Sequence, residues 1–381
     1  MNLLKTVFLT GVLAVSMASV AQADPLNPTV VRITGSTAFR SATHTAIKNI
    51  LGAGYTHAFT GATIGSASQA IFTGTVDGAD VVIKTSWSGA VAGVQTVSQG
   101  INVNFLPDST TQSIGAGTSG ATVGTEAGTP DVAMTDNYQA ATPFTTPALT
   151  DTVVGVVPFK WVASNGAAAT TISNITPQLA QVLFSTGSVA LSTFTGLSAD
   201  AGVTVFATGR DPDSGTRLTT FAESGIGVNS QVVQYQPVIS GATVTGHIPW
   251  PVSVVNGTTF AQGNGGYSSG GTLATTMSKT TAALNGYYVS YMGLSDATNA
   301  ITGGAVELKY NGVSYSLSNI QEGLYTFWGY EHLMYRSTLA AAKKTVATRL
   351  ATQIINVDSP ILLSTMKVVR LADGGAVTQN F

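Results

Sequence analysis

Three times along this 381-residue chain a short β-branched run breaks at a turn of Gly, Ser and Thr and resumes as a helix. The first copy is TVVRIT (Thr29–Thr34), then GST, then AFRSATHTAIKNILG. In its last part Phe39, Ala42, Ala46, Ile47 and Ile50 recur at helical spacing, and Gly52 can close the helix. The second copy is ADVVIKTSW, the pair Ser88-Gly89, and AVAGVQTVSQG, stopped by Gly100. The third is VTVFATGR, then DPDSGT, then RLTTFAESG, closing at Gly225. The copies share no sequence. They share a device, a helix whose first turn carries hydroxyls and glycine. Strands that alternate with helices in this way predict an α/β fold.

Other segments fit the same alternation. TPQLAQVLFSTG reads as a helix with Thr176 as its cap and Pro177 at its first position. NGYYVSYMGL reads as a strand, and ELKYNGVSYSL as a hairpin turning at Asn311-Gly312. The stretch GAGYTHAFTGATIGSASQAIFTGTVDG suggests a further β-hairpin, and Ser113–Pro130 is rich enough in Gly, Ser and Thr to read as a loop or flexible hairpin. A long helical region is expected from about Tyr325 to Ile355.

The first 23 residues stand apart. One lysine, Lys5, precedes an apolar run, and small residues at Ala21 and Ala23 precede Asp24, the layout of a signal peptide. The run is roughly 15 residues, shorter than the ~20 that a spanning helix needs. Residues 1–23 are therefore expected to be removed, leaving a periplasmic or secreted chain. The chain has no Cys, which excludes disulfides, thiolate metal sites and Cys nucleophiles. Its formal charge is −2 and only 9% of its residues are charged, so nothing suggests a nucleic-acid partner.

The hydroxyl-rich turns bear on chemistry. A helix N-terminus has unpaired N–H groups and a partial positive charge, so it attracts anions. Capping alone explains any one such turn. The third copy adds Arg210, whose fixed donors suit a tetrahedral oxyanion, although an ion pair with Asp211 or Asp213 is the simpler use. Asp136, at the end of DVAMTD, makes either a common Asx turn or an acceptor for a ligand that still carries a proton. GYSSG (Gly266–Gly270) fits the G-x-S-x-G elbow of hydrolases but follows no buried strand, so it reads as a helix start. His44, His57, His247 and His332 lack metal-ligand spacing, and the FWGYEH aromatics read as core before they read as a sugar platform.

Arg210 followed by Ser214-Gly215-Thr216 resembles the R-x-x-x-S-G-T signature of periplasmic phosphate-binding proteins (PstS-like), members of the type 2 periplasmic binding protein superfamily. ITGSTAF resembles that family's first phosphate loop, SWSGAVAG its second, DVAMTDN its D-x-x-x-S-D segment, and NGYYVSY the strand that returns the chain to the first domain; the order matches. The resemblance implies two lobes with a mixed sheet in each and a ligand cleft between them. Lobe I would take residues 24–155 and 288–381, and lobe II residues 156–287. It further implies that Thr37 donates through its hydroxyl, Ala38 through its N–H and Ser88 through both (with Ser86 as an alternative register). Asp136 would accept the phosphate proton, and Arg210, Ser214, Gly215 and Thr216 would donate from the second lobe. Inorganic phosphate would then be the ligand, an ABC-type permease a partner, and the protein a monomer with no cofactor, no metal and no catalysis. The sequence departs from the family in its longer spacers before Ser88 and Asp136, in an extra cation at Arg217, and in its aromatic stretch near Trp328. A phosphate ester or another protonated oxyanion stays open as ligand. A secreted phosphohydrolase and a surface protein that kept the fold without transport stay open as functions.

Overall fold

The computed structural model describes residues 27–380 apart from 123, 168–171, 242, 256 and 280–285, so the expected signal peptide lies outside the described residues. Among these, twelve strands join in one mixed sheet. They are β1 (Thr29–Gly35), β2 (Thr56–Phe59), β3 (Gln69–Val76), β4 (Ala79–Ser86), β5 (Val132–Thr135), β6 (Thr150–Ala163), β7 (Asn174–Ile175), β8 (Ser188–Ala190), β9 (Thr204–Ala207), β10 (Gly286–Gly293), β11 (Val306–Tyr310) and β12 (Trp328–Tyr335). The order is β8-β9-β10-β6-β12-β5-β1-β4-β3-β2, with β11 on β6 and β7 on β11. Nine α-helices appear among the described residues: α1 (Arg40–Leu51), α2 (Ala90–Gln99), α3 (Pro177–Thr186), α4 (Ser192–Thr195), α5 (Gly215–Glu223), α6 (Gly270–Met277), α7 (Leu294–Thr302), α8 (Leu317–Gln321) and α9 (Ala341–Gln353). The α/β class and the three strand–turn–helix units are as the sequence predicts.

The long strand β6 organises the sheet. Its residues Thr150–Pro158 run antiparallel to β12, and Phe159–Ala163 run antiparallel to β10. One strand thus belongs to two halves of the sheet. Pro158 stands where β6 exchanges one partner for the other, a point at which a missing N–H interrupts the ladder least. The other crossing lies beside it, where the Phe159 N–H donates to the Phe327 carbonyl at 3.1 Å. In one half β1 lies parallel to both β4 and β5, so Gly35, Ser86 and Thr135 end at one edge. In the other half β9 is parallel to β10. The strand Gly286–Gly293, where the return to the first lobe was expected at residue 288, pairs with β9 and with the far end of β6.

Two expectations fail. Tyr325–Ile355 is not one helix: Trp328–Tyr335 is a strand, and only Ala341–Gln353 is α-helical. β12 is buried from Trp328 to Met334 between β5 and β6, so it shows no inside–outside alternation, and without that period the sequence does not separate a strand from a buried helix. The hairpin after β11 is half correct. Asn311 (φ 51°) and Gly312 (φ 83°) make the turn, but the return arm bonds only through a Tyr310–Val313 bridge before Ser316 caps α8.

The aromatic stretch enters the core. Trp161 of β6 is fully buried, with ring centroids of Phe184, Tyr291 and Phe327 at 6.0, 5.7 and 5.6 Å. A buried aromatic of this size leaves a cavity when truncated. Trp161→Ala is expected to cost about 3–5 kcal/mol, measurable as a lower urea midpoint; a loss under about 1 kcal/mol would contradict this account of the core.

Candidate anion-binding site

The loops that follow β1, β4, β5 and β9 leave the carboxyl ends of parallel strands, where open α/β sheets place ligands. Arg210, three residues past β9, is buried. Its Nε donates to the Tyr267 carbonyl at 3.0 Å and its Nη2 to the Ser268 carbonyl at 2.9 Å. That leaves Nη1 directed across to the other half of the sheet, 3.4 Å from Thr37 Oγ1. The neighbouring acids were expected to hold Arg210. Backbone carbonyls from the GYSSG segment do so instead, and Asp211 contributes through its charge. The backbone of Arg210 is fixed too: its N–H donates to Tyr291 Oη, and its carbonyl accepts from Arg217 Nη1 at 3.0 Å and Gln234 Nε2 at 3.2 Å. Arg217, read as an extra cation for the site, is a strut beneath the loop, with Nη2 on Asn264 Oδ1 at 2.6 Å.

Helix α5 begins at the matched turn. Ser214 Oγ accepts the Arg217 N–H at 3.3 Å, so its side chain caps the helix. Gly215 follows and Thr216 lies buried in the same first turn. Asp136 of the opposite half meets this turn so closely that a Cβ on Gly215 would fall 1.9 Å from Asp136 Oδ1. The next residue braces the contact, with Asn137 Nδ2 donating to Thr219 Oγ1 at 2.8 Å and Thr219 Oγ1 to the Asp136 carbonyl at 3.2 Å. Asp136 is 1% exposed, and neither of its carboxylate oxygens, nor the buried Ser36 hydroxyl, completes a hydrogen bond among the described residues. Burial pushes its pKa from 3.8 up to about 6, against the pull of its own backbone N–H, Arg210 and Ser36.

The structure thus brings Thr37, Asp136, Arg210, Ser214 and Gly215 to one place, with Thr216 beside them. Ser88 is exposed. The start of α2 instead takes a carbonyl from the other half: the Val91 N–H donates to Asp213 O at 3.1 Å, and Gly89 packs so tightly that a Cβ would lie 2.4 Å from that oxygen. Ala38 is half-buried and faces Gly293. The sequence reading missed Ser36, one residue before the matched Thr37, and Asn137, one after Asp136. It also missed Arg40, whose charge reaches Arg210 and the buried Asp296. Chemically, the cluster offers a guanidinium, two hydroxyls and a helix N-terminus as donors, and one buried carboxyl as acceptor. That set suits a small anion that keeps a proton.

No protein-family model matches the chain, and no curated protein matches it. Solved structures to which it is similar include an ABC-type phosphate transport receptor from Vibrio cholerae, at 12% identity and TM-score 0.48, covering 87% of this chain and 99% of that one. PstS from Borrelia burgdorferi is another, at 13% identity and TM-score 0.41, covering 88% and 98%. The regulatory domain of OxyR2 from Vibrio vulnificus is a third, at 9% identity and TM-score 0.42, covering 87% and 98%. Among the described residues no helix is long and apolar enough to cross a membrane.

Two outcomes test the geometry. Gly→Ala in a helix normally stabilises by up to ~1 kcal/mol, but Gly215→Ala must displace the Asp136 carboxylate and is expected to destabilise by roughly 1–3 kcal/mol. Stabilisation would mean that the contact is not formed. Because the folded pKa of Asp136 is raised, its contribution is fully present below its unfolded value and is lost as pH rises through about 6. Asp136→Asn should therefore gain stability relative to wild type as pH rises from about 4 to 7, by up to ~3 kcal/mol. A pH-independent difference between the two urea-unfolding curves would contradict the burial of a free carboxyl.

Proposed function

We propose that this chain is an extracytoplasmic solute-binding protein that captures inorganic phosphate, or a similar protonated oxyanion, for ABC-type uptake. The observation that carries the reading is the Asp136 carboxyl, buried and without a hydrogen-bond partner among the described residues, set against the first turn of α5 within reach of the charge of Arg210. A buried acceptor with no protein donor is matched by a ligand that brings its own proton. In this reading Thr37 and Arg210 donate from opposite sides, the N–H groups of Gly215 and Thr216 complete the cradle, and Ala38 and Ser88 are outer members that approach when ligand is bound. The halves of the sheet on either side of the β6 crossing act as the two lobes. The protein works as a monomer, without cofactor or catalysis, and hands its ligand to a permease.

Calorimetric titration with phosphate and with sulfate is the test. Phosphate near neutral pH keeps a proton and sulfate keeps none, so Asp136 accepts from the first and repels the second. Wild type should prefer phosphate strongly. Arg210→Ala removes a buried charge-assisted donor worth roughly 1.5–3 kcal/mol and should weaken phosphate about ten- to hundredfold. Asp136→Asn should admit sulfate while losing less phosphate affinity than Arg210→Ala. Equal binding of the two anions by wild type would leave Asp136 a turn residue and remove the reading.

A further inference from the structure

Glu331 lies on β12, where nothing in the binding reading calls for an acid. It is fully buried, and neither carboxyl oxygen has a hydrogen-bond partner among the described residues. The ladder sets it beside Asp136. His332 is opposite Thr135, the last residue of β5, and the same register carried one step past the strand end brings Glu331 level with Asp136. The charge of Asp136 reaches Glu331 there. Two buried carboxyl groups therefore lie at the end of one ladder, and none of their four oxygens completes a hydrogen bond among the described residues.

Two such groups cannot both ionise in an apolar setting, so they titrate as a pair that keeps one proton. The surroundings decide which member keeps it. Arg210 and the Ser36 hydroxyl favour charge on Asp136, and so does His332, which is bound to Asp151 at 2.9 Å. Asp373 of the C-terminal tail, which accepts the Tyr138 N–H at 3.0 Å, adds a further acid near Asp136. Glu331 is opposed by its own burial and by the charge of Asp136. We propose that Glu331 is a specificity-determining residue, a neutral carboxyl that keeps Asp136 the ionised member of a one-proton pair and so sets which protonation state of an oxyanion the cradle accepts. The proposal rests on the binding role assigned to Asp136. With the proton on Glu331, Asp136 stays free to accept a ligand O–H. Once Glu331 ionises as pH rises, a second negative charge stands behind the first and expels the anion.

The pair is tested without ligand. In protein labelled with carbon-13 at the glutamate carboxyls, the signal missing from Glu331→Gln identifies Glu331. That signal should titrate well above the ordinary glutamate range and move its midpoint down by at least about one pH unit in Asp136→Asn. A midpoint near the ordinary glutamate value, or one that ignores Asp136→Asn, overturns the pair. The specificity role is tested by phosphate calorimetry between about pH 8.5 and 10, where phosphate itself stays dianionic. Wild-type affinity should fall about tenfold or more, and Glu331→Gln should hold within about threefold. Parallel losses in both proteins overturn the role of Glu331. Absence of phosphate binding at every pH overturns the binding reading and the specificity role with it, while the carboxyl signal still decides whether the pair exists.

Discussion

The contact between Asp136 and the first turn of α5 is the constraint around which this structure is arranged. A carboxylate buried to 1% exposure without a complete hydrogen bond is costly, and the surrounding sequence is shaped to tolerate it. Gly215 supplies a helix start with no side chain in the way. Asn137 and Thr219 tie the Asp136 backbone to α5. Arg210 brings a compensating charge but spends two donors on the Tyr267 and Ser268 carbonyls, which fix its plane and leave one nitrogen for the other half of the sheet.

That contact spans two halves of the sheet, and β6 makes the span possible. By pairing with β12 along one stretch and β10 along the next, it carries a single hydrogen-bonded strand from one half to the other. The second crossing, at Phe327, is bonded directly to the first. Both crossings sit among buried aromatics, so the connection is narrow but well packed. The α2 start, whose Val91 N–H takes the Asp213 carbonyl, is a second place where the halves touch.

Much of this was legible along the chain. The strand–turn–helix units, the Thr176 cap, the Gly100 helix end and the Asn311-Gly312 turn are local features, set by φ preference and by side chains that reach backbone two or three residues away. The matched loops named Thr37, Asp136, Arg210, Ser214 and Gly215, and the structure sets these together. The register of Ser88 was less legible, because SWSG offers two serines and the packing of Gly89 on Asp213 leaves the second one outside. β12 was misread because a strand buried on both faces carries no period to reveal it.

The sequence by itself determined the alternation of elements, the hydroxyl-rich helix starts and the presence of one arginine and one aspartate at matched positions. Only the tertiary structure decided what surrounds them. That Arg210 is held by carbonyls 57 and 58 residues away, rather than by the acids next to it, depends on a loop folding back over the strand end. That Glu331 stands beside Asp136 depends on the register of β12 against β5, across nearly 200 residues of chain, and a shift of one residue would send the carboxyl to the other face. Local chemistry is written in the order of residues, but burial and partnership are properties of the packed sheet.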